Sequence, residues 1–65
     1  MTEVRETARE VEALLFAAAR PLTEADLAQR LPEGADIAGA LAELADRYEG
    51  RGVALANIAG GWRFQ

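Results

Sequence analysis

Apolar residues recur along this chain with two different periods, and the change of period divides it into elements. Val4, Ala8, Val11, Leu15 and Ala18 follow one another at steps of four, three, four and three, the signature of one helical face. The spacing predicts a first helix over Thr2–Ala19, with Leu14 widening the stripe. Glu3, Arg5, Glu6, Arg9, Glu10 and Glu12 fall on the remaining faces, where water solvates them. Arg20-Pro21 ends the helix, because the residue before proline disfavours helical backbone.

The next segment, Leu22-Thr23-Glu24-Ala25-Asp26-Leu27, carries a start signal. Thr23 is a good N-cap, and Asp26, three residues on, can return the bond as a shortened capping-box acid. Leu22 and Leu27 occupy the two staple positions. A second helix is predicted from Glu24 to about Leu31, followed by a turn at Pro32, Glu33 and Gly34. Asp36 caps a third helix, whose stripe is Ile37, Leu41, Leu44 and Tyr48. Gly50 is its expected stop, in the left-handed conformation. Two helices joined by a tight glycine-containing turn make a helix-turn-helix.

After Gly52 the pattern becomes extended. Val53–Ala59 and Trp62–Gln65 read as two strands around a two-residue Gly60-Gly61 turn. That register sets Ala59 opposite Trp62 and Asn57 opposite Phe64. Val53, Leu55, Trp62 and Phe64 then share the core face, while Ala54, Ala56, Ile58 and Arg63 share the outer one. The expected fold is mostly α within an α+β class: a winged helix-turn-helix, three helices followed by a two-stranded β-hairpin wing. Residues 1–65 form a single domain, and a chain that stops on a strand at Gln65 reads as a fragment whose continuation is missing.

Composition changes this picture in one respect. The fold is best known for gripping DNA, yet the helix that would enter the major groove carries Asp36, Glu43, Asp46 and Glu49 against a single Arg47. The whole chain has 11 acids and 7 bases, a net charge of -4, and every base is Arg. A DNA reader draws most of its affinity from cations set against phosphates, so sequence-specific nucleic-acid recognition is not expected. Nor is membrane binding: the first residues are charged, and no run approaches the ~20 apolar residues that span a bilayer. The 51% hydrophobic content supports a packed core, and the absence of Cys fits a reducing, cytoplasmic setting.

Catalysis has little to work with. The chain contains no His, Cys, Lys or Ser, which removes the usual bases and nucleophiles. Its only hydroxyls are Thr2, Thr7, Thr23 and Tyr48. Asp46 and Glu49 read as a solvated pair. Gly60-Gly61 lies between two strands and is a hairpin, not a phosphate loop. No cofactor and no metal is expected, and the chain is read as non-enzymatic. Protein contact remains. Phe16 stands one position off the first stripe, where it either closes the edge of the core or anchors a partner. Leu14, Phe16 and Ala17 at the end of the first helix, with Ile58 and Arg63 on the outer hairpin face, are the candidate interaction residues. Arg47, Arg51 and Arg63 either form a small basic spot or pair with Glu43, Asp46 and Glu49.

Several of these segments, in order, resemble a known family. Val11-Glu12-Ala13-Leu14-Leu15-Phe16-Ala17, Pro21-Leu22-Thr23 and Leu27-Ala28 look like the first two helices of segregation and condensation protein B. The likeness continues through Leu41, Leu44 and Tyr48 into Arg51-Gly52-Val53-Ala54-Leu55 and Gly60-Gly61-Trp62-Arg63-Phe64. It covers the chain from about Val4 to Gln65. The resemblance implies a bacterial, cytoplasmic protein, nucleoid-associated through its complex, with two winged-helix domains in tandem, this chain being the first. It implies a homodimer formed largely through that domain. It further implies binding to the kleisin subunit, segregation and condensation protein A, and through it to the structural-maintenance-of-chromosomes (SMC) ATPase. The role implied is a non-catalytic dimerising scaffold in chromosome condensation and segregation. The alternative from the residues alone is the DNA-binding domain of a winged-helix transcriptional regulator.

Overall fold

Helix α1 (Val4–Ala17), helix α2 (Glu24–Arg30), helix α3 (Ile37–Tyr48), strand β1 (Leu55–Ile58) and strand β2 (Gly61–Phe64) follow in that order. These come from a computed structural model that describes residues 4–65. The expected helix start at Thr2 lies outside the described residues. The first helix ends at Ala17 rather than Ala19. Ala18 donates to the Leu15 carbonyl at 3.4 Å, a tightened last turn. The chain must then extend through Pro21, because Leu22 is held in a bridge to Trp62.

The stripes of α1 and α3 meet and form the main packing interface of the molecule. Ala8, Val11, Leu15, Leu41 and Leu44 are buried there, with Leu27 of α2 fully enclosed beside them. Burying a leucine this completely contributes about 2 kcal/mol over leaving it in water. Ala40, off the expected stripe, is buried completely, whereas Ile37 and Tyr48 are half-buried and pack on the core from its edge. Thr7 is buried as well, and its hydroxyl has no hydrogen-bond partner among the described residues.

The caps form as the sequence requires. Thr23 Oγ1 accepts from Asp26 N–H and Asp26 Oδ2 accepts from Thr23 N–H, both at 3.0 Å, a reciprocal capping box. Asp36 Oδ1 accepts from Gly39 N–H at 2.9 Å and starts α3. At its far end Glu49 (φ -61, ψ 130) and Gly50 (φ 78) form a type II turn, closed by Arg51 N–H on the Tyr48 carbonyl at 3.1 Å. Gly50 therefore takes the expected left-handed conformation.

The hairpin differs from the expected register by two residues. Leu55 pairs with Phe64, Ala56 with Arg63, Asn57 with Trp62 and Ile58 with Gly61. The turn is Ala59-Gly60, at φ 52 and 86, not Gly60-Gly61. A slip of two keeps every side chain on its face, so Leu55, Trp62 and Phe64 still pack on the core. Val53 does not: it is 37% exposed, because the chain reaches β1 only at Leu55. The cause of the slip is Gly61. A Cβ there would lie 2.7 Å from Pro21 Cβ, so glycine is needed inside the strand and is spent there rather than in the turn. The sequence reading also missed the short third edge, where Leu22 and Trp62 exchange hydrogen bonds of 3.0 and 2.7 Å. Three helices and this hairpin make the winged helix.

Candidate interaction surface

The C-terminal end of α1 presents an aromatic cluster to solvent. Phe16 is 57% exposed. Its ring stacks on Phe64 of β2, with centroids 4.3 Å apart and planes 15° from parallel. Tyr48 closes the cluster, tilted against Phe64 at 4.8 Å and edge-on to Phe16 at 6.5 Å. Phe16 therefore closes the core edge through one ring face and leaves the rest of the ring exposed. The Tyr48 hydroxyl donates to the Glu12 carboxylate, tying α3 to α1. That bond, then partial burial and the charge of Glu12, push the Tyr48 phenol above its ordinary value.

Two shallow grooves run from this point. The first is lined by Phe16, Val53, Phe64 and Arg63, and the second by Leu14, Ala17, Leu22 and Arg30. Ala18, Ala19 and Arg20 border both. Four of the five residues singled out from sequence, Leu14, Phe16, Ala17 and Arg63, are thus brought together around one helix end. Leu14 is half-buried there, whereas Ala17 and Arg63 are exposed. Ile58, 44% exposed at the end of β1, lines neither groove. Phe64, Arg20 and Arg30 were missed. Their joint position follows from the Leu22–Trp62 bridge, which draws the segment after α1 alongside β2, and no local sequence signal reports it.

A scan of known families matches residues 9–65 to the segregation and condensation complex subunit ScpB. The chain belongs to the ScpB family. A segregation and condensation protein B homolog from Coxiella burnetii is 43% identical over 60 residues, covering 85% of this chain and 29% of its own length. The fold is also that of a solved conserved hypothetical protein from Chlorobium tepidum, at a TM-score of 0.75 and 31% identity. That match covers 95% of this chain and 41% of the other. The present chain thus spans less than half of either relative.

In this ScpB-family chain the solvent face of α3 carries exposed Ala38, Ala42, Ala45, Asp46 and Arg47, with Glu49 exposed just past its end. Arg47 is 3.1 Å from Glu43, and Arg51 Nε donates to the Arg47 carbonyl at 3.1 Å. Both are held at the end of α3, and neither lines the groove that Arg63 borders. Among the described residues no helix is long and apolar enough to cross a membrane, and no group of three His, Cys, Asp or Glu is placed to hold a metal.

Proposed function

We propose that this domain is a non-catalytic, dimerising scaffold in the bacterial chromosome segregation and condensation complex. The observation that carries the reading is the ScpB family match over residues 9–65. In this reading the chain is the first of a tandem pair of winged-helix domains in a cytoplasmic homodimer. It contacts the kleisin subunit, segregation and condensation protein A, and through it the SMC ATPase. Leu14, Phe16, Ala17, Arg63 and Ile58 are the contact residues for the second copy or the kleisin. Support comes from the acidic α3 face, which offers a major groove carboxylates and small side chains where Arg, Lys, Asn or Gln would be needed. The transcriptional-regulator alternative draws on the fold alone, and a fold does not carry a function.

The test is a nuclease-treated pull-down of the tagged full-length gene product from its native cell, paired with light scattering across concentration. Co-elution of a kleisin and a large coiled-coil ATPase, with a dimer in solution, is the expected result. A strict monomer at high concentration, together with tight duplex binding of steep salt dependence, refutes the scaffold reading.

A further inference from the structure

We propose that the two grooves at the end of α1 receive a segment of a partner protein that presents carboxylates beside aliphatic or aromatic side chains. The charges of this chain are sorted in space. Arg20, Arg30 and Arg63 border the grooves, and no Asp or Glu lines either one. Of the other four arginines, three lie beside acids in a chain that holds eleven. Arg5 and Arg9 share a groove with Glu6 and Glu12, Arg47 pairs with Glu43, and Arg51 holds the Arg47 carbonyl. A net-negative molecule thus keeps one cationic end. Arg30 and Arg63 have no ion-pair partner among the described residues, whereas Arg20 pairs with Asp26 at 3.5 Å and keeps 69% of its side chain exposed. Such guanidinium groups match carboxylates in a planar fork.

Apolar side chains line both grooves, Phe16 and Phe64 the first and Leu14 the second, and Phe16 is the most exposed large hydrophobic among the described residues. A large aromatic at the centre of a patch is a typical anchor. This combination selects among occupants. A phosphate backbone would find three cations but nothing for the apolar floor, and a net charge of -4 repels a polyanion. A second copy docked about a two-fold axis would set the same patch against itself, Arg against Arg. An acidic, apolar protein segment satisfies both rim and floor. The assignment rests on the scaffold reading only for the partner being a protein. It separates the α1 end from the outer hairpin face at Ile58, which is then left for the second copy.

The experiment uses the full-length gene product and fluorescence anisotropy with four probes. They are a Leu/Glu amphipathic helical peptide, its Lys-for-Glu counterpart, its Ser-for-Leu counterpart, and a DNA duplex. The Leu/Glu peptide is expected to bind alone, more weakly as salt rises. Arg63→Glu and Arg30→Glu each weaken it by about tenfold or more, whereas Arg5→Glu leaves it unchanged. These surface variants should retain the parent melting temperature. The proposal is overturned if no peptide binds, if the Lys or Ser peptide binds equally well, or if the duplex is the tighter ligand. A protein that dimerises and co-elutes with its complex but ignores the peptides refutes the groove alone. One that binds the Leu/Glu peptide but elutes alone and monomeric refutes the scaffold reading instead.

Discussion

Replacing Gly61 by Ala tests how the hairpin is fastened to the segment entering α2. The added Cβ would meet Pro21 Cβ at 2.7 Å and the Pro21 carbonyl carbon at 3.4 Å. Carbon atoms in ordinary contact are about 3.5–4.0 Å apart, so the two segments must separate by about 1 Å. Pro21 is a ring fused to the backbone and cannot swing away. The strain therefore passes to Leu22, whose two hydrogen bonds to Trp62 join these segments. Overpacking of this kind costs about 1–3 kcal/mol. A chain of 65 residues has a total stability of about 3–10 kcal/mol. The substitution should lower Tm by about 4–8 °C for each kcal/mol lost. Trp62, the single tryptophan, sits at the bridge and reports on it by fluorescence during thermal or urea unfolding. Gly52→Ala is the control: a Cβ there meets nothing within 4 Å, and Gly52 is not at positive φ. It should be neutral or stabilising by about 0.4–1 kcal/mol. If Gly61→Ala proves as stable as Gly52→Ala, the close approach does not hold the hairpin and the account of its register is wrong.

Other outcomes follow from the same structure. Ala59 holds φ 52 without being glycine, next to Gly60 at φ 86; Ala59→Asn suits this turn better and should stabilise by about 0.5–1 kcal/mol in urea melts. Thr23→Ala removes one half of the capping box and should lose about 1 kcal/mol. Asp26 is held below its ordinary pKa, first by the Thr23 backbone N–H and then by its hydroxyl. Its stabilising contribution is present above the ordinary Asp value of 3.8 and is lost as pH falls through the lower folded value. Asp26→Asn should flatten that acid limb of a stability–pH curve, and an unchanged limb would place the effect elsewhere. Tyr48 is the single tyrosine, so its ultraviolet titration should run above 10.0 and move down in Glu12→Gln. Because its folded pKa is raised, that contribution is complete below the ordinary value and is lost as pH rises through the folded one.

The sequence by itself determined what depends on neighbours within a turn or two. Capping at Thr23 and Asp36, the stop at Gly50, the three helical stripes and the faces of the hairpin are local, and side-chain alternation survives even a two-residue slip. Charge is local too, which made the acidic α3 legible before any fold was known. What only the tertiary structure decided depends on segments distant in the chain. Gly60 and Gly61 look alike in sequence, yet one serves a left-handed turn and the other a close approach to Pro21, 40 positions away. The end of α1 is set by a bridge to Trp62, and the exposed aromatic pair joins Phe16 to Phe64. The placing of Arg20, Arg30 and Arg63 along two adjoining acid-free grooves has the same origin. Long-range pairing brings these residues together, and a linear pattern contains no term for it.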